Sequence, residues 1–204
     1  MNAKKNDDYG VRILTGRAKT IRMQEIRNLT LQGLVEMGDV NPTLNSAATT
    51  NRIFDSHSNT HVVIAERRKK IIGTLSCTKD SEQGLPLDAY FPEQLNYLRL
   101  KGHHMLCGWR YGILRKERRL DMASDFIFSA LDQAYRQNCD LGVFFFHQRF
   151  ERYYRKFLRG QLIARRVLTL DGETQLPVLL MTCEVVANWE RHMVARETQW
   201  ANAT

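Results

Sequence analysis

The chain has 204 residues, 43% of them apolar, and a formal charge of +8 at neutral pH. That length holds one domain with a full core, and the excess of Lys and Arg directs attention to an acidic partner: nucleic acid, anionic lipid, a phosphorylated cofactor or an acidic protein. No window approaches the ~20 apolar residues that span a bilayer, which excludes a membrane helix. The polar stretch 1–10 lacks the apolar centre of a secretory leader and is expected to be disordered in a cytoplasmic protein. Cys77, Cys107, Cys139 and Cys183 have no CxxC spacing, so reduced buried thiols are expected and no metal site. The basic residues are not interleaved with aromatics in any nucleic-acid reading motif, which disfavours that partner.

In chain order, residues 11–15 read as a short strand. Residues 17–37 carry Ile21, Ile26, Leu29 and Leu34 at helical spacing, and Gly38 stops that helix. Residues 39–60, rich in Asn, Thr, Ser and Asp, read as a long loop of the kind that covers a site. Residues 61–66 and 70–78 form a hairpin through the charged turn Arg67-Arg68-Lys69. After the Gly- and Pro-broken stretch 80–88, Pro92 opens a short helix to Leu100.

Residues 105–114 resume a strand. Helix follows over 121–138, with Met122, Phe126, Ile127, Ala130, Leu131 and Ala134 inward, and then the wholly apolar run 141–146, which fits a central strand covered on both faces. Residues 148–158 read as helix, 161–170 and 175–186 as strands joined by Asp171-Gly172-Glu173, and 187–199 as a polar helix. The order describes an α/β fold: a mixed sheet, antiparallel at its outer strands, with helices on both faces. One domain is expected over 11–187, with a helical tail over 188–204. Neither GxGxxG nor GxxxxGK[ST] occurs, which argues against dinucleotide and triphosphatase folds.

The segment between the 105–114 strand and its following helix is basic: Arg115, Lys116, Arg118 and Arg119 surround Glu117. A strand feeding a helix through such a loop is suited to a phosphate, because loop amides and the helix N-terminus present partial positive charge; the alternative is a solvated charged turn. The loop has no glycine, so the single phosphate of phosphopantetheine fits it more easily than a pyrophosphate.

These features together resemble the GNAT acyltransferase superfamily. Gly73-Thr74-Leu75, Asp80-Ser81 and Gly84-Leu85-Pro86-Leu87-Asp88 are similar to the signature of its long-chain N-acyl amino acid synthase branch, related to acyl-homoserine lactone synthases. The helix Pro92-Glu93-Gln94-Leu95 with Leu98-Arg99, then Gly102, Arg110, His147, Arg149 and Tyr153-Tyr154-Arg155 extend the likeness over residues 55–160. The resemblance implies the GNAT fold and transfer of a fatty acyl group from acyl carrier protein or acyl-CoA to the amine of an amino acid or similar small molecule. It implies an acyl-phosphopantetheine thioester as donor and no tightly bound cofactor. A short-chain acyl-CoA N-acetyltransferase and a catalytically degenerate relative that keeps carrier or ligand binding are the alternatives.

The resemblance also suggests roles. Ile113 and the Arg115–Arg119 loop would hold the donor, and Tyr154 would protonate the leaving thiolate while Tyr153 faces the core. His147 either takes the amine's proton or is a structural histidine bonded to a neighbouring loop. Asp55 and Arg110 would bind the acceptor's ammonium and carboxylate. Trp109 and Phe144-Phe145-Phe146 line an acyl tunnel or belong to the core. Arg149, Arg152, Arg155, Lys156 and Arg159 form either a docking face for an acidic carrier or a solvated helix face.

Two departures stand out: Cys107 occupies the position of a Glu common in the superfamily, and Ser76 that of an Arg in lactone synthases. A thiol, with a reference pKa near 8.5 against about 4.3 for Glu, is a poor substitute base. Either the base lies elsewhere, or water relays the proton, or the activity differs; a small buried hydrophobe is the other reading of Cys107.

Overall fold

A computed structural model describes residues 9–36, 38, 52–169 and 175–201. The predicted turn at 171–173 and most of the 39–60 loop lie outside these residues. The elements are β1 (Gly10–Leu14), α1 (Gly16–Glu36), a 3-10 turn (Arg52–Asp55), β2 (Thr60–Arg67), β3 (Lys70–Lys79), a second 3-10 turn (Pro86–Ala89), α2 (Pro92–Leu100), β4 (Met105–Ile113), a third 3-10 turn (Arg115–Glu117), α3 (Leu120–Arg136), β5 (Leu141–His147), α4 (Glu151–Phe157), β6 (Gln161–Thr169), β7 (Gln175–Glu184) and α5 (Val185–Ala201). The predicted 148–158 helix is divided: a 3-10 turn over Gln148–Phe150 precedes α4.

The strands form one seven-stranded sheet in the order β1-β2-β3-β4-β5-β7-β6. Every pairing is antiparallel except β4 with β5. The β2–β3 turn places Arg68 and Lys69 at φ of 50° and 65°, the twist that suits a two-residue hairpin, here without glycine. At the end of α1 the Gly38 amide turns back to the Val35 carbonyl at 3.0 Å.

Three apolar clusters hold the layers together. Met23, Ile26 and Leu29 of α1 and Met122 and Phe126 of α3 pack against Ile64, Ile72 and Ile113 of the sheet. Ile21, expected inward, is 70% exposed, because the inner stripe of α1 instead includes Lys19. A second cluster joins Phe54, Leu87, Phe91 and Leu95 to Cys107, Trp109, Val143 and Val178. In the third, Ile127, Leu131, Leu158 and Cys183 meet Phe144, Tyr154 and Trp189. Trp189 of α5 stacks on Tyr135 of α3 at 4.2 Å, which docks the last helix on the domain. All four cysteines are free and buried.

The feature that positions a site is the parting of β4 and β5. Their ladder runs only from Met105↔Leu141 to Gly108↔Phe144. Beyond it β4 continues against β3 as far as Ile113, while β5 follows β7 to His147↔Val178. A bulge marks the point of parting: Ser76 faces Trp109 and Thr74 faces Gly112, so Arg110 and Tyr111 share Leu75, and Arg110 takes a φ of 49°. Trp109 and Arg110 therefore point to the same side, the side of α1, and Tyr111 to the side of α3. Phe144, Phe145, Phe146 and His147 are only half-buried. Coverage on both faces fails for the C-terminal half of β5 because its β4 neighbour has left.

Candidate active site

The basic loop lies at the end of β4. Arg115, Lys116, Arg118 and Arg119 are exposed on it, while Glu117 is buried and pairs with Arg67. The Arg115 amide donates to Glu36 Oε2 at 2.8 Å, and Arg118 Nη2 stands 4.0 Å from the same oxygen. That amide, followed by Gln32, holds the Glu36 carboxyl below the usual carboxylate range. Arg118 Nε reaches the Ile113 carbonyl at 3.2 Å, so Ile113 itself is a buried residue whose backbone braces the loop. Arg119 pairs with Asp121 at 2.6 Å. The loop is thus a cationic rim with two carboxylates, Glu36 and Glu117, set into it.

An aromatic group covers the α4 face of β5. Tyr154 packs on Phe146 at 4.3 Å and Phe144 at 5.4 Å, and Tyr153 meets it edge-on at 5.1 Å while stacking on Phe157. Both tyrosines are half-buried. Burial raises the Tyr154 phenol pKa, and burial with the two neighbouring phenols raises that of Tyr111, so both remain proton carriers at neutral pH. Tyr111 was not anticipated from sequence, because only the bulge turns it toward α3. His147 Nδ1 accepts the Arg149 amide at 3.1 Å and caps the following turn. Standing opposite Val178, His147 shares the face of the second apolar cluster, while Tyr154 covers the other face of β5.

On the α1 side, Arg110 and Asp55 are each other's partners: Arg110 Nη1 lies 2.6 Å from Asp55 Oδ1, with side-chain exposures of 1% and 8%. Arg27 adds a second pair to Asp55. The Arg110 guanidinium stacks over Trp109 at 4.1 Å, and Trp109 Nε1 donates to Thr78 Oγ1 at 2.9 Å. Nε and Nη2 of Arg110 are buried without a partner, as are the hydroxyls of Thr74 and Ser76. Trp109 is 6% exposed and belongs to the second cluster together with Cys107, which has no exposed surface. Burial drives the Cys107 thiol well above its usual pKa.

The family model of the N-acyl amino acid synthase FeeM matches residues 35–184. The chain belongs to this family. FeeM itself, from uncultured soil microbes, superposes with a TM-score of 0.72 at 16% identity over 91% of this chain and 94% of that one. An acyl-CoA N-acyltransferase from Pseudomonas aeruginosa gives a TM-score of 0.59 at 13% identity over 86% and 99% of the two chains. The CoA-dependent acyl-homoserine lactone synthase BjaI, solved with SAM and isopentyl-CoA, gives 0.60 at 8% identity over 91% and 88%. No curated protein matches the sequence at a significant level. As a member of the FeeM family with the GNAT fold, the chain is an acyltransferase.

In this FeeM-family chain the 80–88 stretch is a lock. Arg99 of α2 binds Asp80 at 2.7 and 2.9 Å and Asp88 at 2.6 and 2.8 Å. Asp88 also accepts the Leu85 amide at 2.6 Å. Gly84 has a φ of +74°, and a Cβ there would fall 2.5 Å from Asp88 Oδ2, so a side chain would open the lock. The lock seats Leu87, Phe91 and Leu95 in the cluster that encloses Cys107.

In the turn before α4, Arg149 stacks on Phe150 at 5.0 Å; on α4, Glu151 pairs at 2.9 Å with Arg155 and with Arg165 of β6, and Arg152 and Lys156 are exposed. Among the described residues no cluster of three metal-ligating side chains occurs, and no helix is long and apolar enough to cross a membrane.

Proposed function

We propose that this acyltransferase moves a fatty acyl group from a phosphopantetheine thioester, carried by an acidic acyl carrier protein, to the α-amine of an amino acid. The observation that carries this reading is the parted β4/β5 pair, with a cationic loop at its mouth and a buried Arg-Asp pair on one side. The pantetheine arm enters between the strands, its phosphate on Arg115, Lys116, Arg118 and Arg119. The thioester oxygen takes a β4 amide beyond Gly108, where no β5 partner competes. The surface of Phe144, Phe146 and Tyr154 receives the acyl chain.

The acceptor comes from the α1 side. Its carboxylate suits the unpartnered Nε/Nη2 edge of Arg110, which offers two parallel donors, and Asp55 faces its ammonium. For reaction the bound ammonium must lose one proton to a base before its nitrogen attacks the carbonyl carbon and a second as the amide forms, which balances the proton that the departing thiolate gains; the C–N bond forms as the C–S bond breaks. Nδ1 accepts the Arg149 amide and so leaves the imidazole hydrogen on Nε2; His147, on the face that also carries Trp109, would therefore take the amine proton at Nδ1 by releasing that amide. Tyr154, on the opposite face, would return a proton to sulfur. Cys107, enclosed and protonated, has no part in either transfer. The exposed Arg152 and Lys156 support a carrier protein as donor vehicle over free CoA, and a reduced, cytoplasmic setting accords with four buried free thiols.

The test is an assay of the purified protein with acyl carrier thioesters from acetyl to palmitoyl and the standard amino acids, products read by mass spectrometry. An N-acyl amino acid is expected from long chains, and Tyr154→Phe is expected to lower kcat by about 10- to 100-fold with donor KM unchanged. Amide formation from acetyl donors alone, or carrier binding without any amide, would overturn the reading.

A further inference from the structure

Lys19 is 2% exposed and lies in α1, a helix whose sequence pattern places it among solvated residues. Its Nζ donates to the carbonyls of His57 and Thr60, each at 2.7 Å. Those two carbonyls bracket the turn closed by the Thr60 amide on His57 O at 3.1 Å, the turn that joins the Arg52–Asp55 segment to β2. Removing an ammonium from water costs several kcal/mol. A hydrocarbon side chain would fill the same space without that cost, so packing does not account for the residue.

Lys19, Met23 and Arg27 follow one another at intervals of four and form a single stripe of α1. Each touches the same assembly: Lys19 holds the 57–60 turn, the Met23 sulfur accepts Arg110 Nη1 at 3.2 Å, and Arg27 pairs with Asp55. Thr60 then bonds Thr78 at 2.8 Å, and Thr78 accepts Trp109 Nε1, over whose ring Arg110 lies. Helix, turn and strands thus close a circuit around Asp55 and Arg110. Its charges are unequal: Lys19, Arg27 and Arg110 stand against the one carboxylate of Asp55.

The helix can approach β4 this closely because Gly112 has no side chain; a Cβ there would lie 3.3 Å from the Thr30 backbone.

We infer that Lys19 is a positioning residue of the acceptor site: its ammonium clamps the 57–60 turn so that Asp55 meets Arg110 and the buried Nε/Nη2 edge of Arg110, which the acyl-transfer reading assigns to the acceptor's carboxylate, is left without a protein partner. This rests on the acyl-transfer reading, so the test has one arm that depends on turnover and one that does not. In the first, full-length Lys19→Met and Lys19→Arg are assayed with palmitoyl carrier and the amino acid that wild type acylates. Lys19→Met is expected to raise acceptor KM by about 10-fold or more with donor KM unchanged, and Lys19→Arg to recover part of the loss. An unchanged acceptor KM, or an equal rise in both constants, overturns the inference.

In the second arm, hydrogen exchange of the 52–60 amides is expected to quicken about 10-fold in Lys19→Met while β5 and β7 keep their protection. Unchanged exchange, or a uniform increase, overturns the clamp. If wild type makes no amide, the acyl-transfer reading fails and the exchange arm alone decides the clamp.

Discussion

Cys107 shares its apolar cluster with Leu87, Phe91 and Leu95, with no exposed surface and a thiol pKa pushed well up by burial, so it stays protonated through the neutral range. Sequence marked the position as a departure from a carboxylate, and burial explains what fills it: a small hydrophobe. Cys107→Ala is expected to leave kcat within about twofold of wild type and to lower unfolding free energy by about 1–2 kcal/mol, read by enzyme assay and denaturant titration. His61 offers the contrasting case. It is 4% exposed with Nε2 unpartnered, and burial, then Lys19, lowers its pKa from 6.5 to about 4. The folded chain refuses a proton that the unfolded chain takes below pH 6.5. Its contribution to stability is therefore complete above that pH and shrinks as pH falls toward 4, by roughly 3 kcal/mol at most. Unfolding measured at neutral and acid pH should show a smaller loss for His61→Leu than for wild type; equal losses would remove His61 from the acid response. The burial of Cys107 was expected from sequence, whereas that of His61 was not, because the elements that cover its strand are distant in the chain.

Elements whose ends carry their own chemistry were legible. Pro92 sets the start of α2, and its observed span, Pro92–Leu100, is the predicted one. The charged hairpin also formed where Arg67-Arg68-Lys69 indicated it. The β4–α3 loop was legible as basic but not as braced, since Glu36 arrives from the end of α1 and Glu117 turns inward to Arg67. A donor phosphate would meet the Arg115 amide already holding the Glu36 carboxylate. Glu36→Gln, which keeps the shape and removes the charge, is expected to tighten donor binding by about threefold or more by calorimetric titration; weaker binding would make the carboxylate a brace that the donor site needs. The bulge in β4 left no sign in the sequence, because its left-handed residue is Arg110 and not glycine.

At the scale of the molecule, the +8 charge has a place to act. Exposed Arg152 and Lys156 of α4 and the Arg115–Arg119 loop lie at the two elements that follow the parted strands. Binding of an acidic carrier is expected to weaken by about 10-fold or more between low salt and ~0.5 M salt, and an Arg152→Glu, Lys156→Glu double variant to bind as weakly at low salt; salt-independent binding would point to an apolar contact instead. The order of strands and helices, the mixed sheet and the acyltransferase family were legible in sequence alone, because periodicity, turn chemistry and the 80–88 signature are local in the chain. Tertiary structure decided the rest. Only when α1 crosses β4 do Lys19, Met23 and Arg27 reach Asp55 and Arg110, and only the bulge sends Arg110 to one face and Tyr111 to the other. These are pairings between side chains far apart in sequence, and their partners are chosen by packing.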